Sequence, residues 1–260
     1  MSWGARGLAF LVIAALLGCS QSVQTTSGER YLRSHLGDAA TGYVAAGSPE
    51  FGARLIEAAS VEPRLTFPAR IGLARVVNGR LTGVPEDEAT IWLLLGETLG
   101  PSFGALVPIS PLVAQLVAGG QQEIGCYDCR EVVNEIRLGA ARQHIDAVLV
   151  YEVHERMSSE SNILAIANIS VIGGFLLPTT NVTSETVVQA MLIDVMQGYP
   201  YGMAQARASN DTLTPTWGSR GYQHRNAASI RVQAVQNLSS EVDKMLKKLR
   251  LELAERRSVG

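Results

Sequence analysis

Residue types that announce an activity are scarce in this 260-residue chain. Cysteine occurs three times and histidine four. His35, His144, His154 and His224 stand at no ligand spacing, and the single Cys-x-x-Cys has no second pair to complete a four-ligand zinc site. We therefore expect no metal and no cofactor. Charge of one sign is also lacking: 22 basic residues face 24 acidic ones, and the net charge of −2 gives no argument for nucleic acid as a partner. There is no P-loop and no Gly-x-Gly-x-x-Gly. His154-Glu155 opens like a zinc-protease helix but has Ser158 where the second histidine belongs. Trp217-Gly218-Ser219-Arg220-Gly221 lacks the spacing of a nucleophile elbow. No apolar run reaches the ~20 residues that a membrane-spanning helix needs. Catalysis is left without a visible constellation, and a role through contacts becomes the expectation. The alternative is a periplasmic small-ligand binder or hydrolase whose deep pocket gathers Asp146, Glu152, His154 and Asp194.

What is present is clearest near the start. Arg6 supplies positive charge, residues 8–17 form an apolar run, and Leu16-Leu17-Gly18-Cys19 follows. That tetrapeptide resembles the bacterial lipobox, in which the cysteine is diacylated, the signal before it is cut away and the new amine is acylated. The resemblance implies a signal peptide over residues 1–18 and a lipidated Cys19; a plain secretory signal or anchor that happens to contain a cysteine is the alternative. A buried methylene contributes about 0.8 kcal/mol, so more than one acyl chain makes a stable anchor. Ser20 stands where an aspartate would imply retention at the inner membrane, so the expected address is the periplasmic face of the outer membrane. Residues 20–28, rich in Ser, Thr and Gln, read as a flexible tether within an anchoring stretch over 19–60. About 240 residues remain after cleavage, enough for one domain over residues 61–257.

Cys126-Tyr127-Asp128-Cys129 is the other cysteine feature. In an oxidising periplasm a disulfide between Cys126 and Cys129 is the expectation, with a redox site, a zinc site and two free thiols as alternatives.

Along the chain, residues 69–77 between Pro68 and Asn78-Gly79 read as a buried strand. Pro85-Glu86-Asp87-Glu88 opens a helix that stops at Gly100-Pro101. Residues 105–109 make a second strand, and Val132, Val133, Ile136 and Ala140 mark an amphipathic helix leading into a third strand over 146–153. This alternation is that of an α/β unit. Residues 186–195 and 204–209 read as an antiparallel hairpin around Gly198-Tyr199-Pro200. A helix over roughly 226–256 carries one stripe from Ile230 to Leu253 and is expected to cover one face of the sheet, with its last turn or two free. The predicted fold class is therefore α/β: a mixed sheet from strand–helix–strand units plus an antiparallel hairpin, packed by a long C-terminal helix. Residues 163–177 are apolar but short for a span, and read as buried core, as an insertion meeting a membrane or a subunit, or as a spanning helix.

The order Ile145-Asp146-Ala147-Val148-Leu149-Val150-Tyr151, then Ile172-Gly173-Gly174-Phe175-Leu176-Leu177-Pro178, then Val187 to Val195, resembles the rhombotarget lipoproteins. More distantly, it is similar to the periplasmic domains of the curli-secretion lipoprotein and of the lipoprotein activators of peptidoglycan synthases. The resemblance covers roughly residues 68–250 and implies a strand–helix sheet closed by a hairpin and a long terminal helix. It also implies an envelope role through a protein partner or self-association. Phe175 in the apolar stretch, and Trp217, Arg220, Tyr222 and Arg225 in a loop over 210–225, are the candidate contact residues, since aromatics with arginines favour interfaces. The alternative for that loop is a surface connection whose Trp217 folds back on the core.

Overall fold

The computed structural model describes residues 20–36, 49–118, 129–157, 184–209 and 219–259. Seven strands form one sheet: β1 (Ser20–Val23), β2 (Ala69–Val77), β3 (Arg80–Thr82), β4 (Gly104–Pro108), β5 (Ala147–Met157), β6 (Ser184–Asp194) and β7 (Pro200–Ser209). Their order is β1-β7-β6-β5-β2-β3, with β4 alongside the first half of β2. The β2–β5 and β2–β4 pairs are parallel and the rest antiparallel, so the sheet is mixed, as the alternation of elements predicts. The described helices are α1 (Gly28–Leu36), α2 (Pro49–Ala59), α3 (Glu86–Leu99), α4 (Pro111–Ala118), α5 (Cys129–Arg142) and α6 (Ser219–Val259).

The central strand shows why these residues form a sheet. Successive side chains of β5 alternate between faces. Ala147, Leu149, Tyr151 and Val153 enter one core, and Val148 and Val150 enter the other. A strand buried on both sides reads as an unbroken apolar run, and this one does. The first core lies beneath α6 and α3, where Leu238, Met245, Leu246 and Leu249 are at most 1 % exposed. Fully burying such side chains stabilises by about 1.5–3 kcal/mol each, so α6 is held by packing rather than by helix propensity. The second core, with Ala74, Val76, Ile136, Val148 and Val150, lies beneath α5 and α4.

Three expectations need correction. Residues 20–28 are not a flexible tether: Ser20–Val23 is an edge strand on β7, and α1 begins at Gly28. The polar composition that suggested a tether suits a short strand at a solvated edge, and Ser27 caps α1 by accepting the Arg30 N–H at 3.3 Å. The terminal helix starts earlier than expected, at Ser219, so Arg220, Tyr222 and Arg225 belong to its first turns and not to a loop. The expected boundary followed the apolar stripe, which begins only at Ile230; Gly221 lies within the helix, where a single glycine costs only about 1 kcal/mol. Its far end is also docked: Leu253 is buried, Arg256 donates to the Glu62 carboxylate at 2.7 Å, and Arg257 donates to the Leu65 carbonyl at 3.0 Å.

Besides β1 and α1, three elements escaped the sequence reading, α2 within the expected anchoring stretch among them. Asn78 and Gly79 (φ of 51° and 71°) make a two-residue hairpin turn into β3, where only a strand end was expected. Ser110-Pro111 opens α4, with the Ser110 hydroxyl accepting the Val113 N–H at 3.4 Å.

Candidate functional site

Residues 20–28, directly after the lipobox-like sequence, are stitched to the rest of the fold one group at a time. Ser20 to Val23 pair with Gln205 to Gly202, and the Gln24 N–H donates to the Tyr201 carbonyl at 2.8 Å. The Thr25 hydroxyl donates to Glu252 at 3.0 Å, and the Thr26 carbonyl accepts the Tyr199 hydroxyl at 2.9 Å. Ser27 Oγ and the Glu29 N–H both donate to Glu62 Oε1, at 2.9 and 2.8 Å. Two glycines make the close approaches possible. A Cβ on Gly202 would lie 2.7 Å from the Ser22 carbonyl oxygen and 2.9 Å from Met245 Sδ, and one on Gly28 would collide with the Ala59 and Ser60 backbone.

Glu62 is the hub of this strap. Partial burial pushes its carboxyl up, but the Glu29 N–H, the Ser27 hydroxyl and the Arg256 guanidinium outweigh that and hold it below the ordinary 4.5. Burial pushes the nearby Tyr199 phenol up to about 12, with Arg256 opposing the rise and Glu62 adding to it, so Tyr199 stays a donor at neutral pH. Beside the strap, α1, α2 and the β6–β7 turn enclose a groove of about 370 Å³ lined by Thr26, Tyr31, Leu55, Ala59, Val61 and Tyr199. Tyr31 and Leu55 remain roughly half exposed there.

A second polar centre is closed. Glu88 on α3 is fully buried, and each of its oxygens is used twice. Oε2 accepts Arg75 Nε at 2.8 Å and the Tyr151 hydroxyl at 2.7 Å; Oε1 accepts Arg75 Nη2 at 3.1 Å and pairs with Arg231 Nε at 3.0 Å. Burial, and the Glu88 charge beside it, push the Tyr151 phenol far above its ordinary value. The junction locks α3 and α6 to β2 and β5, with the Trp92 ring tilted against Tyr151 at 5.1 Å between ring centres.

The four polar residues expected to share a pocket do not converge. Asp146 accepts the Arg70 N–H at 2.7 Å, and Asp194 accepts the Gln197 N–H at 2.7 Å and the Tyr201 hydroxyl at 3.0 Å. Both sit at the β6–β7 turn end. Glu152 and His154, 3.4 Å apart, lie near the other end of β5, and eight residues of strand from Asp146 to His154 put about 26 Å between them. The aspartates of the two resembling strand motifs are thus turn and strand-end acceptors. Tyr201 holds the corner, since its hydroxyl also accepts the Arg64 and Leu65 N–H groups at 3.0 and 2.8 Å.

Of the candidate site residues, Cys19, Cys126, Phe175 and Trp217 lie outside the described residues, as does the apolar stretch 163–177. Cys129 is the first residue of α5. Among the described residues, no group of histidine, cysteine and carboxylates could hold a metal, and no helix is long and apolar enough to cross a membrane. Sequence reasoning missed Glu62, Tyr199 and Tyr201. The dense turn chemistry of Gly198-Tyr199-Pro200-Tyr201 was visible, but apart from Asp194 the partners of those tyrosine hydroxyls lie more than a hundred residues away.

No protein-family model matches the chain, and no curated protein does. Solved structures similar to it include the PelC dodecamer from Paraburkholderia phytofirmans. A single-site variant of it is 13 % identical with a TM-score of 0.31, covering 68 % of this chain and 92 % of that one. A second PelC crystal form is 13 % identical with a TM-score of 0.28, covering 65 % and 85 %. Lipoprotein GNA1162 from Neisseria meningitidis is 13 % identical with a TM-score of 0.30, covering 62 % and 95 %. Likenesses this slight decide no role.

Proposed function

We propose that this chain is a lipid-anchored envelope lipoprotein that acts through protein contacts rather than catalysis. Cys19 carries the lipid, residues 1–18 are the signal that is removed, and the mature protein sits on the periplasmic face of the outer membrane. The observation that carries this reading is Leu16-Leu17-Gly18-Cys19 behind an apolar run, joined without a spacer to a folded strand at Ser20. Contact with another protein, or with a second copy, is supported by α4, which exposes Leu112 and Leu116 to 75 % and 81 % on one helical face. The Cys126–Cys129 disulfide remains part of the proposal.

The mass of the mature protein tests the anchor: loss of the signal and gain of acyl chains at Cys19 is the expected result, and Cys19→Ala should leave the membrane fraction. An unmodified Cys19 in membrane-bound protein would sink the reading. Light scattering with Leu112→Glu and Leu116→Glu tests the contacts. The expected result is a smaller particle or a lost crosslinked partner, with the fold intact.

The groove favours a second reading, a small apolar ligand held between α1, α2 and Tyr199. Its volume is at the lower end for ligand pockets, which run from about 300 Å³ upward. Ala59→Trp should fill it, and a ligand-induced thermal shift that survives this change would exclude the groove as the site.

A further inference from the structure

We infer that the lipid on Cys19 fixes which end of the molecule meets the membrane: the end of the sheet where β5 and β7 finish and β6 begins lies in the lipid headgroup layer. This rests on the acylation proposed above. A flexible stretch the length of residues 20–28 would span ~15–18 Å on average. Fully extended it would reach about 30 Å, as far as the sheet is long, so either end could face the lipid. The chain does something different. Ser20 is already paired in the sheet, and residues 20–29 are held by β7, Tyr199, Glu252 and Glu62 in succession. Only one Cα–Cα step, about 3.8 Å, separates Ser20 from the acylated residue.

Register gives the direction. Ser20 lies opposite Gln205, so the remaining residues of β7, from Ala206 to Ser209, run on past the lipid-bearing end of β1. Beside them are the first residues of β6 and the last of β5, with Glu185 opposite both Ser209 and Arg156. The four residues from Ala206 to Ser209, less the one level with the single step from Ser20 to Cys19, amount to about 10 Å, comparable to the ~5–8 Å headgroup layer on each side of a bilayer. With Cys19 drawn to the acyl boundary, these strand ends stand among the headgroups. The β6–β7 turn, with Met196 80 % exposed, and the groove beside it are then held about 30 Å away, facing the periplasm.

The test uses the acylated full-length protein in vesicles of phosphatidylethanolamine, phosphatidylglycerol and cardiolipin. A photocrosslinking amino acid replaces exposed Ser209 or exposed Met196, and lipid adducts are read by mass. Adducts at Ser209 should exceed those at Met196 by at least about fivefold, because about 30 Å of strand separates the two ends. A Gly/Ser linker of about 12 residues between Cys19 and Ser20, with a mean span of ~20 Å, should erase most of that difference while the protein still floats with the vesicles. Equal adducts at the two positions in acylated, vesicle-bound protein would overturn the orientation and leave the anchor standing. Absence of acyl mass at Cys19 would overturn both.

Discussion

Glu88 and Glu62 each gather guanidinium and hydroxyl donors, yet they stand in opposite surroundings. Glu88 is fully buried, its oxygens shared by Arg75, Arg231 and Tyr151. The Glu62 side chain is 31 % exposed and that of its partner Arg256 is 27 % exposed. In the interior a charge stripped of water must be fully matched, and removing one partner leaves the others unpaired at high cost. Near the surface water screens the same pairing, and its worth falls to a fraction of that. The first carboxylate therefore holds the molecule together, and the second decides only whether the strap over residues 20–28 stays down. Stability and attachment are thus governed from separate places.

Glu88→Gln should show the largest effect. It takes the buried carboxylate from Arg75, 11 % exposed, and from Arg231, which keeps Asp87 at 3.0 Å, and breaking a buried pair this way costs about 3–5 kcal/mol. At roughly 2–4 °C per kcal/mol for a chain of this size, thermal unfolding should move down by roughly 10 °C. A shift of only a degree or two would mean that water reaches the junction and that the contrast with Glu62 is false. Tyr201→Phe comes next. It deprives the Arg64 and Leu65 N–H groups and Asp194 of their shared partner, for about 1–3 kcal/mol in urea unfolding with an unchanged slope. Gly202→Val should act locally by pushing β1 away from β7. Amide exchange over residues 20–28 should accelerate well before that of β5, and equal acceleration in both would show the strap to be part of the cooperative core.

Much of the sheet was legible because its strands are buried on both faces. The 146–153 run, the 69–77 run and the stripe on α6 each carry the periodicity that burial imposes, and each forms the kind of element expected. The strap was not legible, for a physical reason. A solvated edge strand of four residues has no apolar face to write into the sequence, and Ser-Gln-Ser-Val is what a linker also looks like. What fixes it is remote: Tyr199, Tyr201, Glu252 and Glu62, none of which advertises a partner near residue 25. The same holds for Glu88. Three acidic residues at the start of α3 suit any helix, and only folding selects the one that faces Arg75 and Tyr151.

The smallest effect is expected at Glu62, and its sign can be worked out. The folded carboxyl titrates below 4.5 because Glu29, Ser27 and Arg256 favour its charged form. A group depressed in the folded state contributes stability that is present above its unfolded value and is lost as pH falls through the folded one. Above pH 4.5 the strap should therefore be protected, and acidification below that value should loosen it first, before the core responds. Glu62→Gln keeps the shape but removes the charge. It should lower protection of residues 20–36 at neutral pH by a free energy of less than about 1 kcal/mol, and the difference from the parent should shrink as pH drops. High salt should shrink it too, because the Arg256 pair is open to ions. Amide exchange over residues 20–36 at pH 6 and pH 3.5 reads all of this. If parent and variant are equally protected at both values, Glu62 is holding the strap by shape alone, and its pairing with Arg256 contributes nothing to how the β1 edge stays in place.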